Sequence, residues 1–172
     1  MSVQTKTIVD AINARLRHVF PEQRMGLVGH IDFKLNRADG SIEEWGMKNL
    51  IMDAGEDEVA KLIADESTAD AFDWIAIGTT NTAAADSQTA LEAEISTNGG
   101  SRAQDGTPTT AANVATIDVT YNFTDVLAIV EVGLFNAAAA GDMLARQVFA
   151  VINVDDGDSL TVTWNITVGV AR

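Results

Sequence analysis

Cysteine is absent from this 172-residue chain, which excludes disulfides, thiolate metal sites and cysteine nucleophiles together and leaves the redox compartment unread. No run of 18 or more apolar residues occurs, so no segment reads as a membrane-spanning helix. The first residues also lack the basic, apolar, small-residue order of a secretory signal. Motifs are missing as well: there is no G-x-S-x-G, no P-loop, no G-x-G-x-x-G and no internal repeat of 20–50 residues. The only two histidines, His18 and His30, have no Asp, Glu or His at metal-ligand spacing. Paired carboxylates are plentiful, but in so acidic a chain they say nothing about glycosidase chemistry. The expectation is a protein that is not an enzyme and that has no cofactor, with calcium as the one candidate ligand.

Positive charge is scarce. Eleven Lys+Arg face 25 Asp+Glu, a net charge of −14, the wrong sign for nucleic-acid phosphates. Neither nucleic acid nor membrane is an expected partner. The imbalance is uneven: residues 1–37 carry a net +3 and residues 38–172 a net −17. An acidic body with a mildly basic leading segment implies two surfaces with different neighbours. Only four of the basic residues are lysine, and Asp outnumbers Glu. Such a surface suits molar salt, where a Debye length of about 3 Å screens self-repulsion; an ordinary acidic protein is the alternative.

Periodicity supplies the fold. Leu160, Val162, Trp164, Ile166, Val168 and Val170 alternate with Thr161, Thr163, Asn165, Thr167 and Gly169, which puts every large apolar group on one face of a long strand. A one-residue slip would turn that row to water, so its register is tightly specified. Residues 26–35 alternate in the same way, Asp39-Gly40 gives a hairpin turn, and 41–51 returns. A helix is expected from Asp53 to about Asp65, with Val59, Leu62 and Ile63 as its buried stripe and acids in its first turn. Residues 72–77 read as a short strand, 79–86 as a loop and 90–95 as a helical turn. The Gly, Ser, Thr and Ala-rich stretch 96–113, with Pro108, reads as a long surface loop. Ile117, Val119, Tyr121 and Phe123 mark another strand. Val126–Phe135 is apolar enough to be covered on both faces, and residues 143–152 precede the final turn.

The fold class is α+β, mainly β: an antiparallel β-sandwich or meander with an N-terminal helix and a second short helix alongside. Residues 1–20 form the expected docking helix, ended by Pro21, and residues 21–172 a single β-rich domain. Ile8, Ile12, Leu16 and Val19 recur at helical spacing, so Ile8, Ile12, Leu16, Arg15 and Arg17 are the candidate interface residues. Asp155, Asp156 and Asp158 cluster around Gly157 as weak candidate calcium ligands, although the 12-residue EF-hand pattern is missing. Asn122-Phe123-Thr124 and Asn165-Ile166-Thr167 match the N-glycosylation pattern inside strands, where a glycan fits only on a solvent face. The aromatic residues are expected in the core, with a sugar-stacking platform as the alternative.

Several blocks carry a resemblance. Lys48-Asn49-Leu50-Ile51-Met52-Asp53-Ala54-Gly55 is followed by the run from Trp74 through Gly78-Thr79-Thr80-Asn81 to Gln88-Thr89-Ala90-Leu91. Then come Glu131-Val132-Gly133-Leu134-Phe135-Asn136-Ala137, Met143-Leu144-Ala145-Arg146-Gln147-Val148-Phe149 and Leu160-Thr161-Val162-Thr163-Trp164. In that order and spacing, over about residues 40–172, the chain resembles a group of tailed-virus virion proteins described as head-decoration or tail-fibre components. It departs from the pattern at Asn81, where a second Gly is usual, and at Ala150, where Pro often follows. The resemblance brings no catalytic residues. It implies assembly on a virion and leaves head or tail open; with the acidic composition, a virus of a halophilic, haloarchaeal host is the expectation.

The leading expectation is therefore a structural protein on the capsid exterior, a decoration or vertex-turret component forming symmetric homo-oligomers and contacting other virion proteins, the major capsid protein among them. A tail-fibre or baseplate adaptor is the first alternative, and a glycan- or calcium-binding module the second.

Overall fold

Side-chain alternation sorts the strands into two layers. In a computed structural model of the chain, which describes residues 26–169, Leu27–Val168 form one compact unit. Strands β1 (Gly26–Asn36), β2 (Ile42–Lys48), β6 (Thr109–Ala111), β7 (Val114–Asn122) and β10 (Ser159–Gly169) make a first antiparallel sheet in the order β2-β1-β10-β7-β6. Strands β3 (Leu50–Ile51), β4 (Trp74–Gly78), β5 (Ala103–Gln104), β8 (Leu127–Phe135) and β9 (Met143–Val154) make a second, in the order β3-β9-β8-β4-β5. Helix α1 (Asp53–Ile63) lies against β9. The chain is thus a mainly β sandwich, as its alternation implies.

The inward row of the final strand is buried throughout: Leu160, Val162 and Trp164 are fully enclosed and Ile166 nearly so. It packs with Ile31, Phe33 and Leu35 of β1, Ile117, Val119 and Tyr121 of β7, and Ile75, Ile77, Val132 and Leu134 of the second sheet. Register is fixed by pairs such as Trp164 with Ile117 and Val162 with Val119. Tyr121 ties the layers together, its hydroxyl donating to the Ile75 carbonyl at 2.7 Å; burial pushes its pKa up.

Four local expectations change. The C-terminal strands are not a meander: β7 and β10 pair in the first sheet, β8 and β9 in the second. The 155–158 turn is therefore a corner between layers, made possible by Gly157 at φ +88°. The stretch 96–113 carries two short edge strands, β5 and β6, paired to β4 and β7. Residues 90–95 are not helical: bends at 90 and 92–93 lead to Glu94, which bridges Gly78, and Ile95 N–H donates to the Ile77 carbonyl. Finally, α1 buries Gly55 and Glu58, while Leu62 is 41% and Ile63 74% exposed. On the side that meets β9 the Gly55 backbone lies on Leu144, where a Cβ would collide, and Val59 packs half-buried against the main core. Leu62, a turn beyond Glu58 on the same face, and Ile63 are left exposed at the end of the helix.

The apolar run of β8 is covered on both faces towards its end. Ile75 and Ile77 on β4 point into the main core. Ala76 joins Phe135, Met143, Leu91 and Met52 in a second, smaller cluster on the opposite face.

Candidate functional site

Inside that outer cover sits the deepest polar feature of the described residues. Arg146 of β9 and Glu131 of β8 are both fully buried, with Arg146 Nη2 at 2.7 Å and Nε at 3.0 Å from Glu131 Oε2. Arg146 also donates to Gln88 Oε1 at 2.8 Å and twice to the Thr82 carbonyl at 3.1 Å. Glu131 Oε1 accepts from the Ala93 N–H at 3.2 Å and, more weakly, from Thr80 N–H at 3.4 Å. A buried pair survives only when its remaining donors and acceptors are satisfied, and here the 79–95 segment satisfies them. The pair is therefore a fastener that holds an irregular stretch onto a sheet.

The five sequence blocks set out above meet around it. Gly78–Leu91 is the fastened segment, and the Glu131 and Arg146 blocks supply the pair. The Lys48–Gly55 block touches the Arg146 block through Gly55 on Leu144 and through Met52 N–H to the Leu144 carbonyl. It reaches the final block where Trp164 Nε1 donates to Asn49 Oδ1 at 3.2 Å. Five separated pieces of sequence are thus joined by direct contacts. The two departures lie outside these contacts: Asn81 and Ala150 are exposed.

The acidic corner behaves as a structural cap. Asp158 is buried; its Oδ1 accepts from Ala38 N–H at 2.8 Å, and its Oδ2 from Asp155 N–H and Arg37 Nη1, both at 3.0 Å. Burial pushes the Asp158 pKa up, but those N–H groups and the guanidinium outweigh it and hold the carboxyl below its usual range. Asp155 and Asp156 are exposed and are not gathered with Asp158 into a ligand set. Among the described residues, no three His, Asp or Glu side chains are placed to hold a metal ion. Glu58 plays a similar part: Lys61 Nζ lies 2.8 Å from its Oε2, and its Oε1 accepts from Asp70 N–H and Asn136. Lys61 foremost, against the opposing effect of burial, holds its pKa down.

Both glycosylation patterns fall on the outward face of the first sheet. Asn122 is exposed; Asn165 is half-buried, donating to Asp32 Oδ2 at 3.1 Å and accepting from Thr116 at 2.9 Å. His30 is exposed there too, 3.4 Å from Asp32. The aromatic residues pack rather than form a platform: Phe33 stacks on Trp45 at 5.4 Å and meets Phe149 at 5.0 Å. Between β2 and β9 they border an open groove of about 320 Å³ lined by Trp45, Met47, Phe149 and Val151. The candidate interface residues Ile8, Ile12, Arg15, Leu16 and Arg17, with His18, lie outside the described residues.

The Arg146–Glu131 pair is the feature that reading the sequence missed. Its signal was present, since Glu131 stands alone in an otherwise apolar strand and Arg146 follows Met143-Leu144-Ala145. No family model and no curated protein matches this chain.

Proposed function

We propose that this protein is a structural component of a tailed-virus particle, a decoration or vertex-turret subunit on the outside of the head that works as a symmetric homo-oligomer against other virion proteins, the major capsid protein first among them. One observation carries the reading: the separated blocks that resemble virion proteins contact one another in a single packing unit, so the resemblance lies in the residues that hold this fold together. The two-sheet body gives such a subunit a firm frame. Its short edge strands β3, β5 and β6 leave ladder groups that neighbouring subunits can cover. A carboxylate-rich exterior fits a particle that meets molar salt.

Electron imaging of particles, with antibody label against this chain, tests the reading. Label on the head shell supports it, label on the tail moves the protein to a fibre or baseplate adaptor, and particles without the chain overturn both. Removing residues 1–20 should abolish particle attachment while leaving the melting temperature unchanged. A truncated chain that no longer folds would refute the docking role of that segment.

A further inference from the structure

Charge is distributed very unevenly over the sandwich. From residue 53 to 73, eight carboxylates accompany one lysine, and Asp53, Glu56, Asp57, Asp65, Glu66 and Asp70 are exposed. The outward face of the first sheet is of another kind. Strands β6, β7 and β10 hold one charged residue between them, Asp118. Their outward positions carry hydroxyls and amides, cross-linked in pairs: Thr120 with Thr161 at 2.8 Å, and Thr116 with Asn165 at 2.9 Å. On β1 and β2 the charges come in opposite signs, with Lys34 3.2 Å from Glu44. Asp32, Glu44 and Asp118 against Lys34 and Lys48 leave the five-stranded face at −1, while residues 26–169 hold 23 acids and six Lys+Arg, a net −17.

We propose that a second copy of this chain docks on this face, sheet against sheet about a two-fold axis. Two molecules of charge −14 that met through the helix side would press carboxylates against carboxylates at contact distance, where even molar salt screens them incompletely. The threonine-rich face avoids this. Hydroxyls and amides both donate and accept, so the surface is complementary to itself, as a two-fold contact requires. Its size also fits. The strands β1, β2, β6, β7 and β10 have 11, 7, 3, 9 and 11 residues, which at about 3.3 Å rise and about 4.8 Å spacing span roughly 650 Å², near the about 800 Å² per partner of a stable interface. The inference rests on the charge, hydrogen-bonding groups and size of this face and would hold for a protein with no place on a virion.

The cysteine-free chain offers a clean test. Thr161→Cys, near the middle of the face, should form a reductant-sensitive covalent dimer under mild oxidation, whereas Asp57→Cys on α1 should not. Thr120→Glu/Thr161→Glu should weaken dimerisation at least about tenfold by sedimentation, with the wild-type circular dichroism retained. If the double variant fails to fold, the cysteine pair still decides. A wild-type chain that sediments as a monomer in molar salt, or equal cross-linking at both cysteines, overturns the proposal.

Discussion

Replacing Arg146 with Met asks whether the buried ion pair fastens the 79–95 segment or only fills space. The guanidinium makes five hydrogen bonds. Its loss leaves Glu131 Oε2 without a donor, while Oε1 keeps the Ala93 N–H and the long contact to Thr80. Thr82 is exposed and Gln88 half-buried, so water can replace the donors they lose. The damage therefore concentrates on the carboxylate, and stranding one member of a buried pair costs about 3–5 kcal/mol. Against a total stability of about 5–15 kcal/mol for a domain, Arg146→Met should bring the protein near its unfolding threshold. Glu131→Gln/Arg146→Met removes the stranded charge and keeps an acceptor for Ala93, so it should recover about 2 kcal/mol of that loss. Urea denaturation gives the stabilities, and hydrogen exchange over residues 79–95 reports the detachment. A loss below about 1 kcal/mol for Arg146→Met, or a double variant as unstable as the two single changes added together, would refute the reasoning.

Other perturbations test other parts. Trp164→Ala should cost about 3–5 kcal/mol, because the ring is fully buried in the main core; calorimetry or urea titration measures it. Asp158 and Glu58 are both held below their usual pKa, so their contribution is present above the unfolded carboxylate value of about 4 and is lost as pH falls through the folded values. The melting temperature should drop on acidification, and less steeply in Asp158→Asn; parallel curves would contradict the assignment. Raising salt from about 0.1 M to about 1 M shortens the Debye length from about 10 Å to about 3 Å, so the wild-type melting temperature should rise. A flat response would argue against a body limited by self-repulsion.

The layers were legible where only one face of a strand is buried. Strands β1, β7 and β10 alternate cleanly because the other face meets solvent. The split of β7 to β10 between two sheets was not legible, since periodicity gives the face a side chain takes and not the partner its backbone chooses. The buried side of α1 was legible at Val59, which packs on the main core, but not at Gly55 and Glu58, because a glycine contact and a satisfied glutamate do not register in an apolar count. At the acidic corner the sequence shows clustered oxygens in a turn, a solvated turn or at most a weak calcium candidate. The fold instead gives Asp158 the N–H of Asp155 in its own turn and that of Ala38, which comes from the β1–β2 hairpin 120 residues away and which no local pattern reveals.

The scarce cations explain how so acidic a body stays fastened. Arg37 joins the β1–β2 turn to the layer corner, donating to Glu43, Asp158 and the Asn153 carbonyl. Arg102 holds the start of the 102–113 stretch to the turn after β8, through Glu94 and the carbonyls of Ala137 and Ala140, with its guanidinium 3.8 Å over the Phe135 ring. Arg146 fastens 79–95. Each arginine of the described residues thus clamps an irregular segment, with its charge neutralised locally by a carboxylate. A planar fork that reaches carboxylate and carbonyl together suits this task, and a point-charge ammonium does not. Arg102→Lys should therefore keep the net charge and the salt response while hydrogen exchange quickens around residues 102–104 and 137–140. If exchange there stays at the wild-type rate, charge rather than fork geometry does the clamping.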